Sequence, residues 1–449
     1  MERNLTEGSI LNNIVIFSLP YLLSYFLQTL YGMADLFIIG QFEDVAATTV
    51  VSIGSQVMHM ITVMIVGLAM GTTVSIGQAV GAGDQKRVSA GIGNTITLFM
   101  SLSVILALVL LLCIEPIVSV MSTPTEAVDG TISYLFICFI GIPFITAYNI
   151  IASIFRGLGD SKTPMYFIAV ACVVNIALDY LFMGAFRMGP AGAALGTTLS
   201  QGFSVVIALI TVKKRKTGAQ LGKNDFRPRS SIMGKLLKIG IPVALQDGCV
   251  QIGFIVITII ANSRGLTDAA AVGIVEKIIS FLFLVPSSML ATVSALGAQN
   301  IGAGKGRRAV MVLKYGILIS FCYGLILALA MQFVAEPTVG FFTNDAGVIL
   351  AGAQYLHGYI WDAVFVAFHF CFSGYFCACG RSELSFLHNI CSIVLVRVPG
   401  AYLMSKLFPS TLFPMGLSTV AGSFLSIIIC GIAFSLMLKK QRQNPVGGI

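Results

Sequence analysis

Charge is what this chain has least of. Only 10% of its 449 residues are charged against 57% hydrophobic, where an ordinary soluble domain carries roughly a quarter charged. So few charges, bunched between apolar runs of about 20 residues or more, cannot cover a water-facing surface, and a soluble enzyme is excluded. Metal-type cysteine spacing is missing too. The ten cysteines, at 113, 138, 172, 249, 322, 371, 377, 379, 391 and 430, sit inside apolar stretches and form no CxxC pair. They read as small apolar packing residues, with neither a disulfide framework nor a zinc site. The four histidines, 59, 357, 369 and 388, are scattered over separate segments without metal spacing and read as packing or hydrogen-bonding residues. No HExxH and no Ser/His pair on facing helices is found, which argues against a membrane-embedded enzyme. No cleavable signal peptide is evident, because the first apolar stretch is too long and lacks a small-residue cleavage site.

What the chain has in abundance is long apolar segments. Twelve are counted, at about 13–40, 49–79, 91–114, 131–155, 163–185, 191–212, 233–261, 270–299, 310–334, 349–376, 384–405 and 413–438. At 1.5 Å per residue each crosses a ~30 Å hydrocarbon layer, so the expected fold class is an all-α integral membrane protein of twelve transmembrane helices. An even number puts both termini on one side. Lys277 and Arg397 fall inside segments and Arg187, Arg264 and Lys406 on one set of loops. The other Lys and Arg lie on the opposite loops, at the segment ends beside them, and on the two termini. By the positive-inside rule that richer side is the cytoplasm. The net charge of +8 is therefore a topology signal, and no nucleic-acid partner is expected. The run Lys213-Lys214-Arg215-Lys216 reads as an anchor and linker, with lipid headgroups as a lesser contact. The Asn4-Leu5-Thr6 sequon falls on the cytoplasmic side and carries no meaning.

Self-comparison is more informative. An offset of 221 lays Gln78-Ala-Val-Gly-Ala-Gly-Asp-Gln-Lys-Arg87 on Gln299-Asn-Ile-Gly-Ala-Gly-Lys-Gly-Arg-Arg308. The same offset lays Glu115-Pro116 on Glu336-Pro337, Tyr134-Leu135 on Tyr355-Leu356, and Phe155, Gly159 and Ser161 on Phe376, Gly380 and Ser382. Small indels extend the match to Pro20 on Pro242 and Pro190-Ala-Gly192 on Pro414-Met-Gly416. The chain thus reads as two pseudo-symmetric six-helix bundles, an N-terminal lobe over 1–212 and a C-terminal lobe over 236–449, joined by a basic linker over 213–235. Six is even, so the lobes share an orientation and form a parallel repeat, the plan of many transporters, with the substrate path between them. The Gln-x-x-Gly-Ala-Gly sequences resemble phosphate loops but follow no strand; they read as glycine helix stops followed by anchoring basic residues.

These residues resemble the multidrug and toxic compound extrusion family. The likeness rests on the duplicated Gln-x-x-Gly-Ala-Gly-x-x-basic-Arg, on Asp35-Leu-Phe-Ile-Ile-Gly-Gln ending helix one, and on Arg156-Gly-Leu-Gly-Asp-Ser-Lys-Thr-Pro164 after helix four. It covers essentially the whole chain. The resemblance implies a V-shaped central chamber that faces cytoplasm and exterior alternately. It also implies export of bulky lipophilic or cationic compounds in exchange for H⁺ or Na⁺.

Ionisable groups inside a bilayer are functional candidates by default. Here they are Asp35, Asp179, Asp247, Glu276 and Asp362, against Lys277 and Arg397. Asp35, Asn175, Asp179 and Thr197 all fall within roughly the outer half of the N-terminal bundle at 1.5 Å per residue. Asn175 and Asp179 are spaced i, i+4 and face the same way. Two carboxylates, an amide oxygen and a hydroxyl make a hard-oxygen set that suits Na⁺. The pair equally suits a proton, since two neighbouring carboxylates in a low-dielectric pocket repel each other and cannot both stay charged alone. The family resemblance implies the same four positions as the N-terminal cation-coupling site. Under the 221 offset Asn175 and Asp179 map to Val396 and Gly400, so this site is not duplicated.

Asp362 resembles a helix-ten aspartate of some branches of the family. With Asp247 it is expected to contact drug cations; Gln28, Tyr31, Met58 and Met64 are further candidates, offering cation–π and thioether contacts. Glu276 and Lys277 read as a self-neutralising or interfacial pair, and Arg397 as a tie to a neighbouring acid. Pro20 and Pro242 interrupt their helices and permit bends, and Pro20 is the expected hinge that couples ion binding at Asp35 to the drug site. The leading reading is a monomeric, cation-coupled antiporter of organic cations in a bacterial plasma membrane, with membrane lipids around it, no cofactor and no catalytic residues. The alternatives are a flippase for lipid-linked precursors, which would want a more cationic chamber, and an ion channel.

Overall fold

A computed structural model describes residues 4–214 and 221–443. Every regular element among them is helical. The run from Lys213 to Lys216 is only half inside the described residues, so its role as an anchor lies largely outside them.

Nine helices are long and apolar enough to cross a membrane, and three bent pairs bring the count to twelve. The protein is an all-α, multi-pass membrane protein. Large apolar side chains such as Phe37, Ile105, Leu108, Ile326 and Phe333 stand exposed on the helices, as lipid-facing residues should. The repeat is exact at one helix: α2 (Val45–Gly81) corresponds under the 221 offset to α10 (Leu266–Leu282) plus α11 (Leu284–Gly302). Both copies stop as their sequence requires, with Gly83 and Gly304 in the left-handed region at φ 69° and 71°, a conformation glycine adopts without penalty.

The helix breaks with bends above 40° fall elsewhere than at Pro20 and Pro242. Pro20 sits inside α1 (Ile10–Phe42) and Pro242 inside α9 (Ser230–Asn262), each a continuous helix. Bends of 45°, 41° and 46° instead separate α5 (Val128–Ile140) from α6 (Ile142–Gly157), α10 from α11, and α13 (Ala346–Tyr359) from α14 (Asp362–Ala378). Two have a local cause. Pro143 and Pro286 each remove an N–H that would have bonded four residues back. At the second break the carbonyl so released, that of Leu282, accepts a hydrogen bond of 3.0 Å from the Tyr323 hydroxyl on α12 (Gly306–Gly340). A freed backbone acceptor in a membrane helix needs such a side-chain substitute.

The chain packs as two compact units, and they are not cut at 212 and 236. One unit holds residues 1–4 and 19–240, the other 5–18 and 241–449. The starts of α1 and α9 thus trade places, the change falling within two residues of Pro20 and Pro242. Side chains explain each exchange. In the second unit Leu5 N–H donates to Gln299 Oε1, Lys305 Nζ to the Thr6 carbonyl, and Arg308 Nη2 to the carbonyls of Glu7 and Gly8. Further along, Ser288 Oγ donates to the Ser18 carbonyl at 2.9 Å. In the first unit Lys235 Nζ donates to Gln78 Oε1 at 2.7 Å. A Cβ at Gly71 or Gly240 would strike the carbonyls of Leu236 or Leu68, so both glycines are needed for α2 and α9 to touch backbone to backbone. The duplicated glutamines therefore fasten the exchanged helix starts, a role beyond that of helix stops.

Candidate functional site

In the first unit three helices each contribute polar residues spaced i, i+4, which puts each pair on one helical face. Helix α1 brings Tyr31 and Asp35, α7 (Lys162–Asp179) brings Asn175 and Asp179, and α8 (Gly189–Lys214) brings Thr197 and Gln201. Asp35 is 3% exposed, and Asn175 and Asp179 are fully buried. Thr197 Oγ1 donates to Asp35 Oδ2 at 3.0 Å. Asp179 and Asn175 also stand within interaction range of the Asp35 carboxylate, but only the Thr197 contact has hydrogen-bond geometry. The four residues singled out in the sequence are thus brought together.

Two details of the local fold shape this pocket. The backbone of α8 approaches Asp179 so closely that a Cβ on Gly196 would run into its Oδ1. Directly after Asp179 the helix widens into a π-helical stretch, Tyr180–Ala185, a distortion common where a side chain must be re-aimed.

The pocket holds more acceptors than donors. Asp35 Oδ1, both oxygens of Asp179, Asn175 Oδ1 and Nδ2, Gln201 Oε1 and the Tyr31 hydroxyl are buried without a hydrogen-bond partner among the described residues. Leaving one such group unmade costs about 1–3 kcal/mol, more when it is charged. Five of the unpaired oxygens belong to carboxylates and side-chain amides, and no basic side chain acts on the two acids, so the site fits Na⁺ or a proton. Sequence reasoning missed Gln201. Its signal was there, since it stands four residues after Thr197.

Tyr31, taken for a drug contact, has its hydroxyl within range of Thr197, Ser200 and Gln201 and beside Asp35, so it belongs to the acid pocket. Met58 is 8% exposed and packs in the apolar core with Ile38, Val51 and Tyr134, which makes it a packing residue. Gln28 and Met64 are half-buried. Asp247 and Asp362 do not share a site. Asp247 acts on Cys377, and Cys377 lies 15 residues, about 22 Å of helix, from Asp362 on α14.

The second unit gathers a different set. Arg397 ends a π-helical stretch, Ile393–Arg397. Its guanidinium donates to the Tyr359 hydroxyl and lies 5.0 Å from the centre of the Phe254 ring. Glu276 and Asp362 both act on it, yet neither forms an ion pair with it among the described residues. The expected Glu276–Lys277 pair is absent among the described residues: Glu276 accepts from Thr258 Oγ1 at 3.3 Å and faces Arg397. Neighbours in sequence on a helix point apart, which is why that pairing fails.

The MatE family profile matches residues 20–181 and again 242–403, most of the chain and both halves of the repeat. The chain belongs to the MatE family. Among MatE relatives, the probable multidrug resistance protein YpnP of Bacillus subtilis is 29% identical over 400 residues, 89% of each chain. The multidrug export protein MepA of Staphylococcus aureus is 23% identical over 435 residues, 95% of this chain and 93% of its own. A solved transporter of the MOP superfamily from Pyrococcus furiosus superposes with a TM-score of 0.91 at 22% identity, over 98% of both chains. This last likeness establishes the MatE fold.

Proposed function

We propose that the chain is a secondary antiporter that exports lipophilic and cationic compounds in exchange for H⁺ or Na⁺ by alternating access. The observation that carries this reading is the cluster of unpaired buried acceptors at Asp35, Asn175, Asp179 and Gln201. Such a cluster is stabilised by a cation or a proton and by little else available in a bilayer. The curated relatives bearing multidrug resistance and export names support the cargo class. In this reading Asp35, Asn175, Asp179 and Thr197 hold the coupling ion, with Gln201 and Tyr31 beside them. Organic cations contact the half-buried Gln28 and Met64 and the acids of the second unit. Pro20 is the hinge through which filling of the ion site changes drug affinity, a coupling that must be reciprocal. The protein works as a monomer, as a transporter rather than a catalyst, with both termini in the cytoplasm of a bacterial cell and lipid around its apolar faces.

The test is efflux of ethidium from reconstituted vesicles, driven separately by Na⁺ and pH gradients, in wild type and Asp35→Asn. Efflux under one gradient that is lost in the variant supports antiport and names the ion. Efflux that survives in the variant removes Asp35 from coupling, and failure of both gradients removes antiport itself.

A further inference from the structure

A continuous set of buried polar side chains runs through the second unit, and nothing in the proposed ion site uses it. Asp362, His369 and Ser373 stand at i, i+7 and i+11 on α14, one face of the helix, covering about 16 Å. Asp362 is 1% exposed with Oδ1 unpaired, and its side chain lies within range of Ser423 on α17 (Phe413–Gln443). The same Ser423 Oγ is 3.2 Å from His369 Nε2. His369 and His388, the latter on α15 (Ser382–Ser392), have ring centroids 5.7 Å apart, and His369 Nδ1 has no hydrogen-bond partner among the described residues. His388 is held by Ser373 Oγ at 2.8 Å and Ser426 Oγ at 3.3 Å, with Asn389 Nδ2 at 3.5 Å. Asn389 donates to the Ser385 carbonyl, and Ser385 Oγ donates to Gln246 Oε1 at 2.6 Å. Ser385 is four residues past Arg381, at the loop end that the charge bias assigns to the cytoplasm.

The repeat shows that the fold does not need these residues. Their counterparts in the first half are Gly141 for Asp362, Tyr148 for His369, Ala152 for Ser373, Pro164 for Ser385 and Phe167 for His388. The counterparts of Ser423 and Ser426, at the offset of the Pro190/Pro414 match, are Leu199 and Gly202. A bundle of the same design packs without a single one of the polar groups, while burying seven of them costs desolvation that packing does not require.

We propose that this track is a proton relay linking Asp362 in the interior of the second unit, through Ser423 and His369, to His388 and the serines that hold it, less than one turn of α15 from Ser385. Hydroxyls and imidazoles both give and take protons, so each hop breaks one O–H or N–H bond and makes one. A proton leaving the Asp362 carboxyl is taken by Ser423 as the serine's own proton passes to His369 Nε2. His369 releases its other proton from Nδ1, and a ring flip or one water carries it to His388 and the serines that hold it. The charged groups acting on His369 are His388 and Arg397, with Asp362 reached through Ser423 and Glu276 and Tyr359 beyond Arg397, and His388 is set by its burial alone. Helix α11, packed on α14, carries no titratable side chain, and those of α12 and α17 do not act on either ring.

The relay rests on the antiport reading only in making H⁺ one of the ions that move. Its test is lumenal pH, followed with trapped pyranine in vesicles carrying an inward acid gradient, with and without ethidium. Wild type should acidify the lumen, and His369→Gln with His388→Gln should slow acidification by at least about tenfold, with ethidium binding in nanodiscs unchanged. Should the double variant not fold, Ser423→Ala alone, which removes one hydroxyl between Asp362 and His369, must slow the flux. Unchanged acidification in these variants overturns the relay. Ethidium movement driven by Na⁺ with no pH change in wild type overturns it too and leaves antiport standing. Histidine-dependent acidification without any ethidium movement keeps the relay and removes antiport, and no movement of either removes both.

Discussion

Where the first unit buries Asn175 and Asp179, the second has Val396 and Gly400; where the second buries Asp362 and Arg397, the first has Gly141 and Ile176. The helices repeat at a single offset and the polar interiors do not. Among the described residues, the first unit collects unpaired acceptor oxygens with no basic group among them. The second surrounds a buried arginine with two acids and two tyrosines, so most of its charge is met from within. A backbone plan used twice with different contents separates what the fold needs from what is added to it. The additions on each side are the best guide to function.

The largest effects should come from breaking the contrast at its ends. Asp35→Asn should cut ethidium efflux under both Na⁺ and pH gradients by at least about tenfold, equivalent to ~1.4 kcal/mol. The double histidine variant should cut only the pH-driven arm. A histidine variant that affects both gradients equally would merge the two roles and end the distinction between an ion site and a proton route.

Stability should change in opposite senses. Arg397→Ala leaves Glu276 and Asp362 buried without their cation and should cost about 3 kcal/mol, read as loss of thermal stability in detergent. Asp179→Asn removes one of two neighbouring carboxylates that nothing neutralises. It should be neutral or stabilise by up to ~1 kcal/mol in ion-free buffer. If Asp179→Asn proves as damaging as Arg397→Ala, the first pocket is a structural network and its unpaired oxygens need no ion.

Much of this was readable from residue spacing. Hydropathy placed twelve spans, the 221 offset placed both halves, and i, i+4 spacing joined Asn175 to Asp179. What could not be read was contact between residues distant in the chain. The histidines at 369 and 388 looked scattered because their meeting depends on how α14 packs on α15. Glu276 looked paired with its neighbour Lys277, although helix geometry points adjacent residues apart. The exchange of Leu5–Ser18 between units left no periodic mark, since backbone carbonyls accept most of its bonds. Pro143 and Pro286, which the sequence reading did not single out, stand beside breaks, whereas Pro20 and Pro242 look the same in sequence and sit in helices that continue. Whether a proline bends its helix depends on what surrounds the break.

The smallest effect sharpens that last point. At matching positions the first unit has Ile65 in the unbroken α2, and the second has Pro286 at the break between α10 and α11. If Tyr323 replaces the hydrogen bond that Pro286 cannot make, Tyr323→Phe should cost ~1 kcal/mol, the price of stranding the Leu282 carbonyl. In the Pro286→Ile background a backbone N–H becomes available to that carbonyl, and the same Tyr323→Phe change should then cost much less. A double-mutant cycle by thermal unfolding reads the difference directly. Additive costs would mean that the hydroxyl and the proline are independent and that the bend is held by packing alone; a coupling near the full cost of Tyr323→Phe would show one residue on α12 answering a break in its neighbour.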